Sequence, residues 1–275
     1  ANRPGVVRGK HGAKTRGRGE DRSFLFSRNI FSPGGERFPS TATLGTIGHE
    51  RSGEELTTIS LDPAKSSAVE YLKGSFYWHF DGPMQDKPIF PSLLSAKVMP
   101  PEGGSTEFAN TYAAYEALSA EEKQRFDGMT AMHSAWNTLF YYDPEPSTEK
   151  LEMFMAAGDV ELPLVWTHKS GRKSRGAGFE KRPSGRTHIS GAKSLVRGSP
   201  ARHIVGMDFR ESARLLNRLR EFATSEPFHY AHHWTVGDMV MWDNTGTLHR
   251  AMPYDATSVR ELHRTKLDGE EAIAA

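Results

Sequence analysis

The stretch that most constrains this chain is Gly74-Ser75-Phe76-Tyr77-Trp78-His79-Phe80-Asp81-Gly82. Its density of aromatics favours an extended strand, in which successive side chains point to opposite faces. Phe76, Trp78 and Phe80 then share a face that needs a core, while Ser75, Tyr77, His79 and Asp81 share the other. His79 and Asp81 point the same way, about 7 Å apart along the strand, so an imidazole and a carboxylate there can share one metal ion. Taken alone, a His-x-Asp is more often a plain polar strand face. The metal reading needs a second histidine from elsewhere in the chain.

That histidine is His249, at the end of Trp242-Asp243-Asn244-Thr245-Gly246-Thr247-Leu248-His249. Two histidines and a carboxylate on one side of a metal leave positions open, the facial arrangement of non-haem Fe(II) oxygenases. Further on, Val259 to Thr265 reads as a strand with Arg260 and Arg264 on one face and Leu262 between them. Two guanidinium groups on an inward face are costly unless anions sit there. Their Cα atoms are about 13 Å apart in an extended strand, which calls for two anions rather than one.

The order His79-x-Asp81, Gly103-Gly104-Ser105-Thr106, Trp242-Asp243-Asn244…His249, Arg260 and Arg264 resembles the taurine dioxygenase and 2,4-dichlorophenoxyacetate dioxygenase family, over roughly residues 71–267. The resemblance implies an Fe(II)- and 2-oxoglutarate-dependent oxygenase. It implies His79, Asp81 and His249 as iron ligands, Thr106 and Arg260 on the far carboxylate of 2-oxoglutarate, and Arg264 facing a substrate anion. The implied reaction hydroxylates a small sulfonate or carboxylate and yields succinate and CO2. The implied fold is mainly β with flanking helices, a double-stranded β-helix or jelly roll. The many short strand-like runs and turn residues suit that class independently.

Bulk properties narrow the rest. With 37% hydrophobic residues in 275, one sizeable core is affordable. No apolar run approaches membrane-spanning length, so no membrane partner is expected. No secretory leader is visible; the chain begins with Ala, which leaves open whether its natural start is included. There is no Cys, which agrees with a ferrous enzyme in a reducing, cytoplasmic setting. The net charge of +1 hides +6 over residues 1–28 and +9 over residues 169–202. Such basic runs are more often solvated than nucleic-acid-binding, and no aromatic interleaving argues for RNA or DNA. The expected partners are a small-molecule substrate and O2, with a homo-oligomer left open. Two rivals stand beside the oxygenase: a non-catalytic barrel that keeps the triad, and a zinc hydrolase, against which the arginine pair argues.

Along the chain, residues 1–22 read as an irregular basic segment and 23–268 as a single oxygenase domain, with a loose tail after Asp268. Strands are expected at Thr43–Ile47, Leu56–Ile59, Leu93–Met99, Met129–Trp136, Leu162–Thr167, Phe228–Trp234 and Met239–Asp243. Helices are expected at Thr111–Leu118, after the Ser119–Glu122 capping box, at Thr148–Ala157, and from an Asp208 cap to about Thr224. His133 reads as a hydrogen-bonded structural residue. Thr167-His168-Lys169-Ser170-Gly171-Arg172-Lys173-Ser174 is nearly repeated from Thr187 to Ser194, with six of eight positions alike. The residues at about 169–193 therefore read as an inserted basic loop of which one copy is dispensable.

Overall fold

The computed structural model describes residues 56–66, 68–169, 191–255, 258–269 and 271–274, with five short strands ahead of them. It is mainly antiparallel β-sheet with flanking helices. The largest sheet runs, edge to edge, Ile30–Phe31, Val7–Gly9, Met239–Asp243, Pro91–Val98, Glu261–Lys266 and Thr57–Ile59. A second sheet places Thr106–Asn110 between His229–His232 and Thr247–Ala251. A third places Thr130–Ser134 between Asp159–Pro163 and Ala201–Ile204. Composition alone makes residues 1–22 irregular. Val7–Gly9 nonetheless pairs with Met239 to Met241, a partner near the other end of the chain.

The helices form where the caps place them. Ser119 and Glu122 close a reciprocal capping box on Ala120–Phe126. Asp208 accepts from the amides of Arg210 and Glu211 to open Phe209–Ala223. That helix buries Leu215, Leu216, Leu219 and Ala223 against Ala114, Tyr115 and Phe126. A fully buried leucine such as Leu219 contributes about 2 kcal/mol by leaving water.

Several expectations are corrected. Gly74 to Gly82 is not a strand: Lys73–Phe76 is a turn of 3-10 helix, and only His79 makes a β-bridge, to His249. Gly74 lets the helical turn pack close to Thr138, where an added Cβ would meet Cγ2 at 3.0 Å. Gly82, at φ +75, ends the extended run. The strand expected at 129–136 stops at Ser134, and Ala135–Leu139 is helical. Ala201–Ile204 is a strand that the sequence reading missed. The tail after Asp268 is tied down: Glu271 meets His168 and the Lys169 amide, and Thr167 N donates to Ala274 O.

The basic loop itself, 170–190, lies outside the described residues, but both of its ends are placed. Val165–Thr167 pairs with Lys193–Leu195, so Trp166 and Thr167 of the first copy face Ser194 and Lys193 of the second. His168 O accepts from Gly191 N at 2.8 Å, and His168 N donates to Ala192 O at 2.9 Å. Gly191 has φ +91. Deleting Lys169 to His188 would leave Ile189-Ser190-Gly191 between His168 and Ala192. Those two bonds and the positive φ are what a three-residue hairpin loop with a glycine bulge requires. Shortening the closed loop also lowers its closure entropy by about 2 kcal/mol. The deletion variant is expected to melt at or above the temperature of the parent, with an unchanged circular dichroism spectrum. A collapsed spectrum would make the segment structural.

Candidate metal centre

The triad is built by two strand ends that exchange backbone hydrogen bonds. His79 N donates to His249 O at 3.1 Å, and His249 N donates to His79 O at 2.8 Å. This doubly bonded pair brings the two rings to 4.3 Å between centroids. Asp81 follows two residues later and turns inward. Its carboxylate lies 3.9 Å from His79 Nε2 and 3.7 Å from His249 Nε2. One ligand atom from each of the three residues lies within 4.8 Å of the others.

The segment is braced from several sides. Asn244, fully buried, accepts from Asp81 N at 2.8 Å and donates to Asp81 O at 2.8 Å and to Ile89 O at 3.0 Å. An amide side chain can do this because it carries an acceptor and two donors. Ser92 Oγ donates to Asp81 Oδ2 at 3.2 Å. His79 Nδ1 donates to the Tyr77 carbonyl at 2.7 Å, which leaves its lone pair on Nε2, toward Asp81. Gly198 backs onto the segment so closely that a Cβ there would sit 3.1 Å from His79 Cα. Trp78 and Trp242 lie in apolar clusters.

Protonation suits metal ligation. Burial pushes His249 down to about 3 and also lowers His79, so both imidazoles are neutral at pH 7. Burial alone would raise Asp81, but the Arg264 charge, then the two imidazoles, hold it well below the ordinary carboxylate range. Two neutral imidazoles and one carboxylate around a common point fit a divalent first-row cation.

The two arginines diverge more than one strand face implies. Arg264 lies on the Glu261–Lys266 strand with Nη1 3.4 Å from Asp81 Oδ1, beside the triad. Arg260 precedes the strand, and the register shifts between Glu261 and Leu262. It is 4% exposed. Its Nε donates to Gly104 O at 3.1 Å, and its guanidinium lies over the Tyr254 ring at 5.4 Å. No acidic side chain pairs with it among the described residues. Gly104, at φ +68, admits the close approach: a Cβ there would lie 3.1 Å from Arg260 Cδ and Nε. Two residues on, buried Thr106 accepts a hydrogen bond from Trp234 Nε1 at 2.9 Å.

Each residue singled out in the sequence is therefore placed. His79, Asp81, His249 and Arg264 come together, while Thr106 and Arg260 flank the Gly103-Gly104 turn. Asn244, Ser92 and Trp234 were missed as supports. Asn244 sat in a motif noticed only for its order, and nothing in sequence spacing joins it to Asp81.

A mainly antiparallel β protein with two histidines and an aspartate converging on one buried point belongs to the facial-triad class of metalloproteins. More particularly, the chain belongs to the TauD/TfdA family: the family described as "Taurine catabolism dioxygenase TauD, TfdA family" matches residues 25–266. It is 38% identical over 220 residues to the alpha-ketoglutarate-dependent 2,4-dichlorophenoxyacetate dioxygenase of Cupriavidus pinatubonensis, covering 78% of this chain and 69% of that one. To the (S)-phenoxypropionate/alpha-ketoglutarate-dioxygenase of Sphingobium herbicidovorans it is 34% identical over 216 residues, covering 78% and 70%. Among solved structures, AAD-2 in complex with Mn(II) and N-oxalylglycine matches with a TM-score of 0.66 and 32% identity, over 82% of this chain and 78% of that one.

Proposed function

We propose that the chain is an Fe(II)- and 2-oxoglutarate-dependent dioxygenase that hydroxylates a small anionic substrate, an aryloxyalkanoate in preference to a sulfonate. The observation that carries this reading is the His79–Asp81–His249 cluster together with buried Arg260, which has no acidic partner among the described residues. The relatives named for dichlorophenoxyacetate and phenoxypropionate are 33–38% identical, against 28–29% for those named for sulfate esters or sulfonates. The fold is assigned as a double-stranded β-helix; the large antiparallel sheet, the sheet carrying Thr106 and His249, and the bridge between His79 and His249 support it.

His79, Asp81 and His249 would hold the iron. When bound, it supplies the O2 activation that turns 2-oxoglutarate, O2 and a C–H bond into succinate, CO2 and a C–OH bond. The rest falls to the chain. Arg260 pairs with the far carboxylate of 2-oxoglutarate, offering two parallel N–H donors. Thr106 joins it: its oxygen already accepts from Trp234, so its own hydrogen is free for the carboxylate. Arg264 holds the substrate anion next to Asp81. Asn244 and Ser92 keep the Asp81 carboxylate aimed.

The test is succinate release by the Fe(II)-loaded chain with 2-oxoglutarate in air, across aryloxyacetates, 2-aryloxypropionates, alkyl sulfates and sulfonates. Aryloxyalkanoates are expected to stimulate release at least about tenfold more than sulfonates. A sulfonate preference would overturn the substrate class, and no stimulation by any compound would favour the non-catalytic reading.

A further inference from the structure

Arg197 follows the Lys193–Leu195 strand and is 3% exposed. Its Nε and Nη1 are buried without a hydrogen-bond partner. Among the described residues no Asp or Glu forms an ion pair with it; the groups that act on its charge are Tyr141 and the like charge of Arg220. His133 is fully buried, and both of its ring nitrogens lack partners. His133 pairs across its ladder with Ala201, four residues beyond Arg197, and burial, with the Arg197 charge, lowers its pKa to about 3. His133 also packs edge-on against Phe80, at 6.5 Å between centroids. In an extended segment Phe80 points away from His79 and Asp81, so this cluster lies behind the triad rather than within it.

A buried guanidinium keeps its charge at neutral pH, and here burial takes its pKa only to about 10. A buried charge without a counter-charge is among the most destabilising features a fold can carry. Water can fill hydrogen bonds but does not neutralise the charge. The groups left open are mainly donors: the three N–H of Arg197 Nε and Nη1 and one N–H of a neutral imidazole. Their complement is an acceptor with negative charge and no donors.

We propose that Arg197 and His133 form a buried site for a small monovalent anion, chloride in the cell, behind the metal-binding segment. The anion ties the end of the hairpin to that segment. Gly198 already abuts His79 Cα, and Ser199 N donates to Trp78 O at 2.7 Å. Nothing in this site depends on the oxygenase reading.

The test is the melting temperature of the full chain in sodium chloride against sodium gluconate at equal ionic strength, both metal-free and loaded with Mn(II). For a millimolar site, about 0.2 M chloride should raise the midpoint by about 5 °C in both forms. In Arg197→Met the increment should vanish. No increment in the parent, an increment only with metal, or the same increment in the variant would each overturn the site. If Arg197→Met does not fold, crystals of the parent grown in bromide decide. An anomalous peak within hydrogen-bonding reach of Arg197 Nε and Nη1 supports the site, and its absence at saturating bromide removes it.

Discussion

Asp81→Ala is expected to abolish iron-dependent 2-oxoglutarate turnover while leaving the fold in place. The backbone of this segment is held by groups the substitution does not remove. Asn244 still bridges the residue-81 amide and carbonyl, and His79 and His249 still exchange backbone hydrogen bonds. What disappears is the negative charge between two imidazoles that burial keeps neutral. The cluster then carries the Arg264 charge and no carboxylate, so a divalent cation meets repulsion and has one ligand fewer. Succinate release should fall to the level of the metal-free chain. Melting should shift by only a few degrees, since Arg264 is half-buried and can reach solvent. Full turnover by the variant would remove Asp81 from the metal site.

Arg260→Ala and Arg264→Ala should fail in different ways. Arg260 is the more deeply buried and has no acidic partner among the described residues, so a bound dicarboxylate is its natural counter-ion. Its loss should weaken 2-oxoglutarate binding by about 3 kcal/mol, or roughly a hundredfold, as for a buried charge pair that loses one member. Arg264 sits 3.4 Å from Asp81, beside the triad. Its loss should spare 2-oxoglutarate binding and mainly raise KM for the anionic substrate. Anaerobic titration of 2-oxoglutarate into each Fe(II)-loaded variant, followed through the metal-to-ligand absorption band, separates the two. Equal losses of affinity would mean that both arginines hold one ligand, and the case for an anionic substrate would lose its support from this residue.

Residue type and spacing carried much of the site into view. His79 and Asp81, two apart, present ligands to one side however the segment is folded, provided it is locally extended there. Arg260 and Arg264 stood out because two cations on one inward strand face demand an explanation. The helices at Ala120 and Phe209 were legible because a cap is a local contract between a side chain and amides two or three residues on.

What sequence could not supply was contact between distant segments. The aromatic run at 74–82 carries strand propensity throughout, yet a strand needs a partner along its length. Here the partner meets it at one residue, because Gly74 closes on Thr138 and Gly198 presses on His79. Val7–Gly9 is the converse: a stretch of low apolar content becomes a strand because Met239–Asp243 offers it a ladder. Asn244 became a clamp, Trp234 a support for Thr106, and Arg197 a buried cation only once the chain was folded. Local rules act over a few residues and are written in the sequence directly. The bracing of Asp81 by a residue 163 positions away depends on packing, and that was decided by the tertiary structure alone.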